Sequence, residues 1–119
     1  MIDGSVTNDG VPTVALSVAG RIWNAVIDTG FNGDLELPEL LRIHVNARFF
    51  AKSEAELAAG QKVEEDVYVV EFPFDGEDTL ALATFVPGRD ILVGTNSLRR
   101  HRLDINFVRQ TVFVERAGL

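Results

Sequence analysis

Short stretches rich in β-branched and aromatic residues, separated by glycine, proline and aspartate, run along most of this chain. This pattern is typical of β-strands. Two of the stretches, residues 12–18 and 21–27, flank Ala19-Gly20, and so short a connection predicts a tight hairpin. Residues 63–74 and 79–86 predict a second hairpin, with Asp75-Gly76 as its turn. We therefore predict an all-β protein.

Further strand-like stretches are shorter. The first, Leu35-Glu36-Leu37-Pro38, alternates in polarity and ends in a proline suited to opening a helix. The others are residues 91–94, 103–108 and 111–115. Helix is scarce: we predict it for residues 38–44 and for residues 95–101, where Thr95 and Asn96 are good helix caps.

Residues 53–61 admit two interpretations. The run Glu54-Ala55-Glu56-Leu57-Ala58-Ala59 has strong helix propensity, and Gly60 is a good helix stop. Propensity over six residues is nevertheless a weak prior that tertiary context overrides. The alternative, a β-hairpin, depends on the family resemblance described below.

Composition limits the classes of function. A chain of 119 residues, 46% of them hydrophobic, suffices for one domain with a core, and we find no linker or repeat, so we assign residues 1–119 to a single domain. Eighteen acidic residues against 11 basic ones give a net charge of −7, which disfavours binding to nucleic acid or to anionic membranes. There is no cysteine, no leader-like N-terminus and no apolar run of membrane-spanning length. We expect a cytoplasmic protein.

The candidate chemistry lies at Asp28-Thr29-Gly30, which follows the apolar run of residues 22–27 and occurs once. Pepsin-like proteases present one half of a two-aspartate active site in this way. Two carboxylates roughly 3 Å apart cannot both ionise, so they share a proton. Because the chain has one such tripeptide, the second aspartate would come from a second chain, which predicts a homodimer with its active site on the twofold axis.

On these motifs the chain resembles the retropepsin-like aspartic proteases, in particular small stand-alone prokaryotic members. The resemblance extends from about Val14 to Glu115. It rests on an apolar strand entering Asp28-Thr29-Gly30-Phe31-Asn32-Gly33, the stretch Leu35-Glu36-Leu37-Pro38, the run Ile91-Leu92-Val93-Gly94-Thr95-Asn96-Ser97-Leu98, and the closing stretch of residues 103–108. It implies a small closed β-barrel with one short C-terminal helix.

The resemblance also implies roles for individual residues. Asp28 would be the catalytic aspartate, Thr29 would brace the paired turns across the dimer axis, and Gly30 would let backbone amides approach the carboxylate. Gly94 would cross close behind the turn, where a side chain would collide. Residues 53–61 would form a hairpin flap over the substrate with Ala58-Ala59-Gly60-Gln61 at its tip, and we favour this flap over the helix.

Two departures from viral members stand out. Phe31 replaces the usual alanine and would bring a ring near the substrate groove. The aspartate and arginine that viral members often pair at the dimer interface are Asn32 and Thr95 here. The loss of both partners suggests a different interface.

Other chemistry has little support. His44 and His101 lack metal-binding spacing, and no serine lies in G-x-S-x-G. The run Arg99-Arg100-His101-Arg102 is explained as a solvated helix end. We therefore predict an aspartic endopeptidase that needs no metal or cofactor and cuts extended peptides. The alternative is a catalytically silent dimeric module of the same fold that binds peptides.

Overall fold

The computed structural model describes residues 1–117 and contains ten strands and two short 3₁₀ helices. The strands are β1 (Ile2–Val6), β2 (Pro12–Val18), β3 (Arg21–Ile27), β4 (Leu35–Pro38), β5 (Arg48–Glu56), β6 (Lys62–Phe74), β7 (Glu77–Val86), β8 (Ile91–Val93), β9 (His101–Asn106) and β10 (Thr111–Arg116). The 3₁₀ helices are η1 (Glu39–His44) and η2 (Thr95–Leu98). The all-β prediction is confirmed.

Both predicted hairpins are present. Ala19 and Gly20 have φ values of 54° and 78°, and Asp75 and Gly76 have 51° and 80°. A positive φ at both central residues is what a two-residue turn of type I′ requires, and the twist of that turn matches the twist of the flanking strands. These turns set the registers of β2 with β3 and of β6 with β7.

All ten strands form one sheet in the order β5-β6-β7-β4-β8-β3-β2-β1-β10-β9. The closed barrel that we predicted is wrong, because within residues 1–117 the sheet keeps two free edges. Strand β5 pairs only with β6, in a hairpin that extends past β7, and β9 pairs only with β10. The two edge strands therefore do not meet.

The predicted helices are also wrong in kind. Residues 1–117 contain no α-helix: residues 39–44 and 95–98 are 3₁₀ turns, and neither has a side-chain cap. The second predicted helix stops early because His101 already pairs with Arg116 in the β9–β10 ladder. No helix in this part of the chain is long and apolar enough to cross a membrane.

The core lies on one face of the curved sheet. Fully buried side chains from both halves of the chain meet there, among them Leu37, Leu41, Val70, Phe72 and Ile91. Strand β8 is short, but its central place between β3 and β4 brings together segments that are far apart in sequence. This arrangement positions the turn that follows β3.

Candidate active site

Asp28 lies directly after β3 and is held by the strand next to it. Ile27 is buried and pairs with Val93 of β8. The backbone N–H of Asp28 then donates to the carbonyl of Val93 at 3.0 Å. The last step of the ladder therefore fixes the backbone of Asp28, while its side chain stays half-buried.

The following residues form a tight turn around the carboxylate. The Gly30 N–H donates to Oδ1 of Asp28 at 2.9 Å, and the Phe31 N–H donates to the Asp28 carbonyl at 3.1 Å. A Cβ on Gly30 would lie 3.3 Å from the same Oδ1, so a side chain there would crowd the carboxylate. Thr29 is exposed in the single chain. We call residues 28–34 the aspartate turn.

Gly94 and the start of η2 bind the aspartate turn from behind. Three consecutive N–H groups donate to its carbonyls: Gly94 to Asp34 at 2.9 Å, Thr95 to Phe31 at 2.8 Å and Asn96 to Gly33 at 3.2 Å. A Cβ on Gly94 would lie 2.1 Å from the Gly33 carbonyl oxygen, a distance that real Cβ contacts do not reach. Only glycine fits here without moving the backbone.

Asp34 is a structural residue of the site that sequence reasoning missed. Its Oδ2 accepts from the Leu82 N–H at 2.8 Å, and its Oδ1 accepts from the side-chain amide of Asn96. The hydroxyl of Ser97 donates to its backbone carbonyl at 2.9 Å. Asp34 therefore connects the aspartate turn to both β7 and η2. An aspartate among turn residues was the only sequence signal.

The ring of Phe31 packs within the turn. It lies 2.8 Å from where a Cβ on Gly94 would be and 2.7 Å from where one on Gly33 would be. The side chain is half-buried. We predicted a ring near the substrate groove. The contacts with two glycines show that it also fills the space that they leave.

Residues 53–61, predicted to form a flap, lie at the end of the β5–β6 hairpin, and the helix alternative is wrong. Residues 53–56 pair with residues 62–65, and the Leu57 N–H closes the tip by donating to the Gln61 carbonyl at 2.7 Å. Gly60 has a φ of 79°, which favours glycine. Strand pairing overrides the helix propensity of this segment. Ala58, Ala59, Gly60 and Gln61 are all exposed.

Glu36 is a second residue that sequence reasoning missed. It lies on β4 between the buried Leu35 and Leu37 and is itself half-buried. Burial raises the pKa of its carboxyl group, and the negative charges of Glu65 and Asp28 raise it further. The alternation of Leu35-Glu36-Leu37 puts Glu36 on the opposite face from the core. The sequence could not reveal that this face also carries Asp28.

A cavity of about 640 Å³ lies elsewhere. Its lining includes Asp34, Asn96, Phe74, Asp75 and His101, but Asp28 does not line it. This cavity is therefore not at the candidate catalytic carboxylate. Within residues 1–117, no group of three or more His, Cys, Asp or Glu residues is arranged to hold a metal ion.

Comparison with solved structures identifies the fold. The protease of simian foamy virus superposes with a TM-score of 0.58 at 20% identity, over 73% of this chain and 91% of that one. A retropepsin-like aspartic protease from Rickettsia conorii superposes with a TM-score of 0.66 at 14% identity, over 94% and 87% of the two chains. The foamy viral protease-reverse transcriptase matches with a TM-score of 0.60 at 16% identity, over 79% of this chain and 13% of that longer one.

No family model and no curated protein matches the sequence. The structural matches cover most of the chain. Their sequence identities, 20% and 14%, are so low that the matches identify the fold alone. This protein has the retropepsin-like fold.

Proposed function

We propose that the protein is an aspartic endopeptidase whose active site forms between two copies of the chain. The observation that carries the proposal is the position of Asp28, at the turn after β3 in a retropepsin-like fold and backed by Gly94. The Asp28-Thr29-Gly30 tripeptide occurs once per chain. A two-carboxylate site therefore needs Asp28 of the partner subunit.

The chemistry of the proposed pair follows from its shared proton. One carboxylate is ionised and takes a proton from a bound water, whose oxygen attacks the carbonyl carbon of the scissile peptide bond. The protonated carboxyl group donates to the oxygen that gains negative charge. When the tetrahedral intermediate breaks down, the C–N bond breaks and the leaving amine takes up the proton that the first carboxylate removed from the water. Activity should therefore fall at high pH, where neither carboxyl group stays protonated.

Two further residues fit this proposal. The exposed hydroxyl of Thr29, next to Asp28, is available to brace the paired turns across the twofold axis. The Gly30 N–H already donates to Asp28 Oδ1, and this hydrogen bond stabilises an ionised carboxylate and fixes its orientation. In a symmetric dimer, each chain would supply both of these interactions.

The proposed substrate is an extended peptide that lies between the flap and the aspartate pair. Such a peptide can be held by backbone hydrogen bonds in the manner of an added strand. Three of the four residues at the exposed tip, Ala58, Ala59 and Gly60, are small and would allow close approach to a peptide backbone.

The second candidate function is a dimeric peptide-binding module that does not cut. The observation that favours it is the outer edge of β5, which pairs with no other strand within residues 1–117. A free edge can accept a partner strand through backbone hydrogen bonds without any chemistry.

A peptide library separates the two candidates. The purified protein is incubated with the library from mildly acidic to neutral pH, fragments are identified by mass spectrometry, and Asp28→Asn serves as the matched variant. Light scattering records the oligomeric state of both. Cleavage by a dimer that is lost in a folded, dimeric Asp28→Asn protein supports the endopeptidase. A folded dimer that binds library peptides and cuts none supports the binding module.

A further inference from the structure

A row of half-buried side chains crosses the sheet on the face away from the core. In register, Val26 of β3 pairs with Leu92 of β8, Leu92 pairs with Glu36 of β4, and Glu36 pairs with Thr84 of β7. All four are half-buried. Seven of their eight neighbours along the strands are buried in the core: Ala25, Ile27, Leu35, Leu37, Ala83, Ile91 and Val93. The eighth, Phe85, is half-buried and packs against the core.

Asp28 belongs to the same face as this row. Successive side chains of a strand point to opposite faces, so Asp28 shares a face with Val26, two residues earlier. The hydrogen bond from Asp28 to Val93 continues the ladder and keeps this alternation. Two interstrand spacings and two residue rises separate Asp28 from Glu36, or roughly 12 Å between their Cα atoms. An extended peptide covers that distance in about four residues.

None of the ion pairs among residues 1–117 involves the carboxylate of Glu36. Its charged neighbours are negative: Glu65, in the part of β6 that pairs only with β5, and Asp28 itself. Burying a charge without an opposite charge beside it costs free energy. Unfavourable arrangements of this kind tend to occur at functional sites, where a ligand of opposite charge can pair with the group.

We propose that Glu36 is a specificity-determining residue that selects a substrate side chain carrying a positive charge, Lys or Arg. This inference rests on the proposed function, because the row becomes part of a substrate groove only if peptides bind across Asp28. The aliphatic stem of Lys or Arg would lie along Val26 and Leu92, and its charged end would meet Glu36. In a symmetric dimer each copy supplies one Glu36, so the preference applies on both sides of the scissile bond.

The kinetic test uses peptides that differ at one position. From the library, a cleaved peptide with Lys near the scissile bond is resynthesised with norleucine in its place, and kcat/KM is measured for both at fixed ionic strength. We expect the wild-type protein to prefer Lys by about tenfold, the usual worth of a charge-assisted contact. Glu36→Gln should lose this preference while it still cuts the norleucine peptide.

Glu71→Gln is the matched control. Glu71 is exposed on β6 and pairs with Leu80, four residues along β7 from the Thr84 that pairs with Glu36, so its Cα lies roughly 16 Å from that of Glu36. The variant therefore removes one negative charge outside the row. It should keep the preference for Lys. Equal ratios of Lys to norleucine cleavage in the wild type and in Glu36→Gln would overturn the proposal. Loss of preference in both variants would also overturn it, because the preference would then reflect net charge alone.

A binding measurement keeps this inference separable from the proposed activity. In the Asp28→Asn background, fluorescence anisotropy compares the affinities of the Lys and norleucine peptides with and without Glu36→Gln. If the wild type cuts no peptide, the endopeptidase proposal fails, and peptides for this measurement are taken from those that bind. An affinity difference that depends on Glu36 then still supports its selective role. No difference would overturn that role whether or not the protein is an enzyme.

Discussion

Gly94 sits closer to the aspartate turn than any other residue type could. Its ideal Cβ position is 2.1 Å from the Gly33 carbonyl oxygen and 2.8 Å from the Phe31 ring. We expect Gly94→Ala to lower the free energy of unfolding by about 3 kcal/mol, because either the turn or η2 must move. Urea denaturation measures the change.

Gly10→Ala is the control for Gly94→Ala. Gly10 has a φ of 86° and no atom within 4 Å of its Cβ position, so the variant adds only backbone strain of about 1 kcal/mol. If the free energy of unfolding falls equally in the two variants, the close approach of Gly94 to the aspartate turn does not contribute to stability.

His101 gives the protein a dependence of stability on pH. Its side chain is 8% exposed, and burial lowers its pKa below the ordinary value of 6.5, although Asp75, with Oδ2 3.9 Å from Nε2, opposes this shift. Arg116 and the amino group of Met1 lower the pKa further and Glu77 opposes them, each more weakly. The unfolded chain therefore binds the proton more readily than the folded one. The neutral form of His101 therefore contributes its full stabilisation above pH 6.5. This stabilisation is lost as the pH falls from 6.5 through the lower pKa of the folded state.

We expect the free energy of unfolding to decline from pH 6.5 towards pH 5 in the wild type and to be flatter over this range in His101→Phe, whatever the stability of that variant at neutral pH. Denaturation at a series of pH values measures the slope. His44→Gln, at an exposed position, should keep the decline. A slope unchanged by His101→Phe would contradict the assignment to His101.

At the scale of elements, the sequence predicted those strands whose bounds are determined by residues close together in the chain. The bounds of β2 and β3 agree with the prediction because apolar stretches and a two-residue turn specify both. Strand β1 was missed. It contains Gly4, where a Cβ would lie 2.0 Å from the Thr13 carbonyl oxygen, so the residue that weakens its sequence signal is required by its packing.

The candidate site was predictable only in part. The tripeptide of residues 28–30 and the glycine at 94 are visible in the sequence as motifs. The carboxylates of Asp34 and Glu36 depend on which distant strands become neighbours: Asp34 binds Leu82 and Asn96, and Glu36 pairs with Leu92. Register between segments 48 to 62 residues apart leaves no local pattern.

The outer part of the β5–β6 hairpin should be the least protected region of the sheet. Residues 51–56 and 62–67 pair only with each other, whereas from Tyr68 onward β6 also pairs with β7. A two-stranded hairpin is marginal in water by itself. We expect amides of residues 51–67 to exchange with solvent faster than those of residues 69–74 by hydrogen exchange, and to slow when a substrate peptide binds. Uniform protection along β6 would contradict this.

At the scale of the whole molecule, one chain supplies one of the two aspartates that the proposed chemistry needs. Asp28 does not line the 640 Å³ cavity, and Thr29 beside it is exposed. Among residues 1–117 the sheet has two open edges, at β5 and β9. Since each chain carries a net charge of −7, two copies repel one another, and we expect salt to favour their association.

The central claim, that two chains share one aspartate pair, is tested most directly by mixed dimers. Wild-type and Asp28→Asn chains are refolded together in equal amounts, and cleavage of a library-derived peptide is measured. If both aspartates are needed, only dimers of two wild-type chains are active, and random assortment gives about one quarter of the activity of an all-wild-type sample. Activity at one half, in proportion to the wild-type chains present, would show that each chain acts alone and would contradict the shared pair.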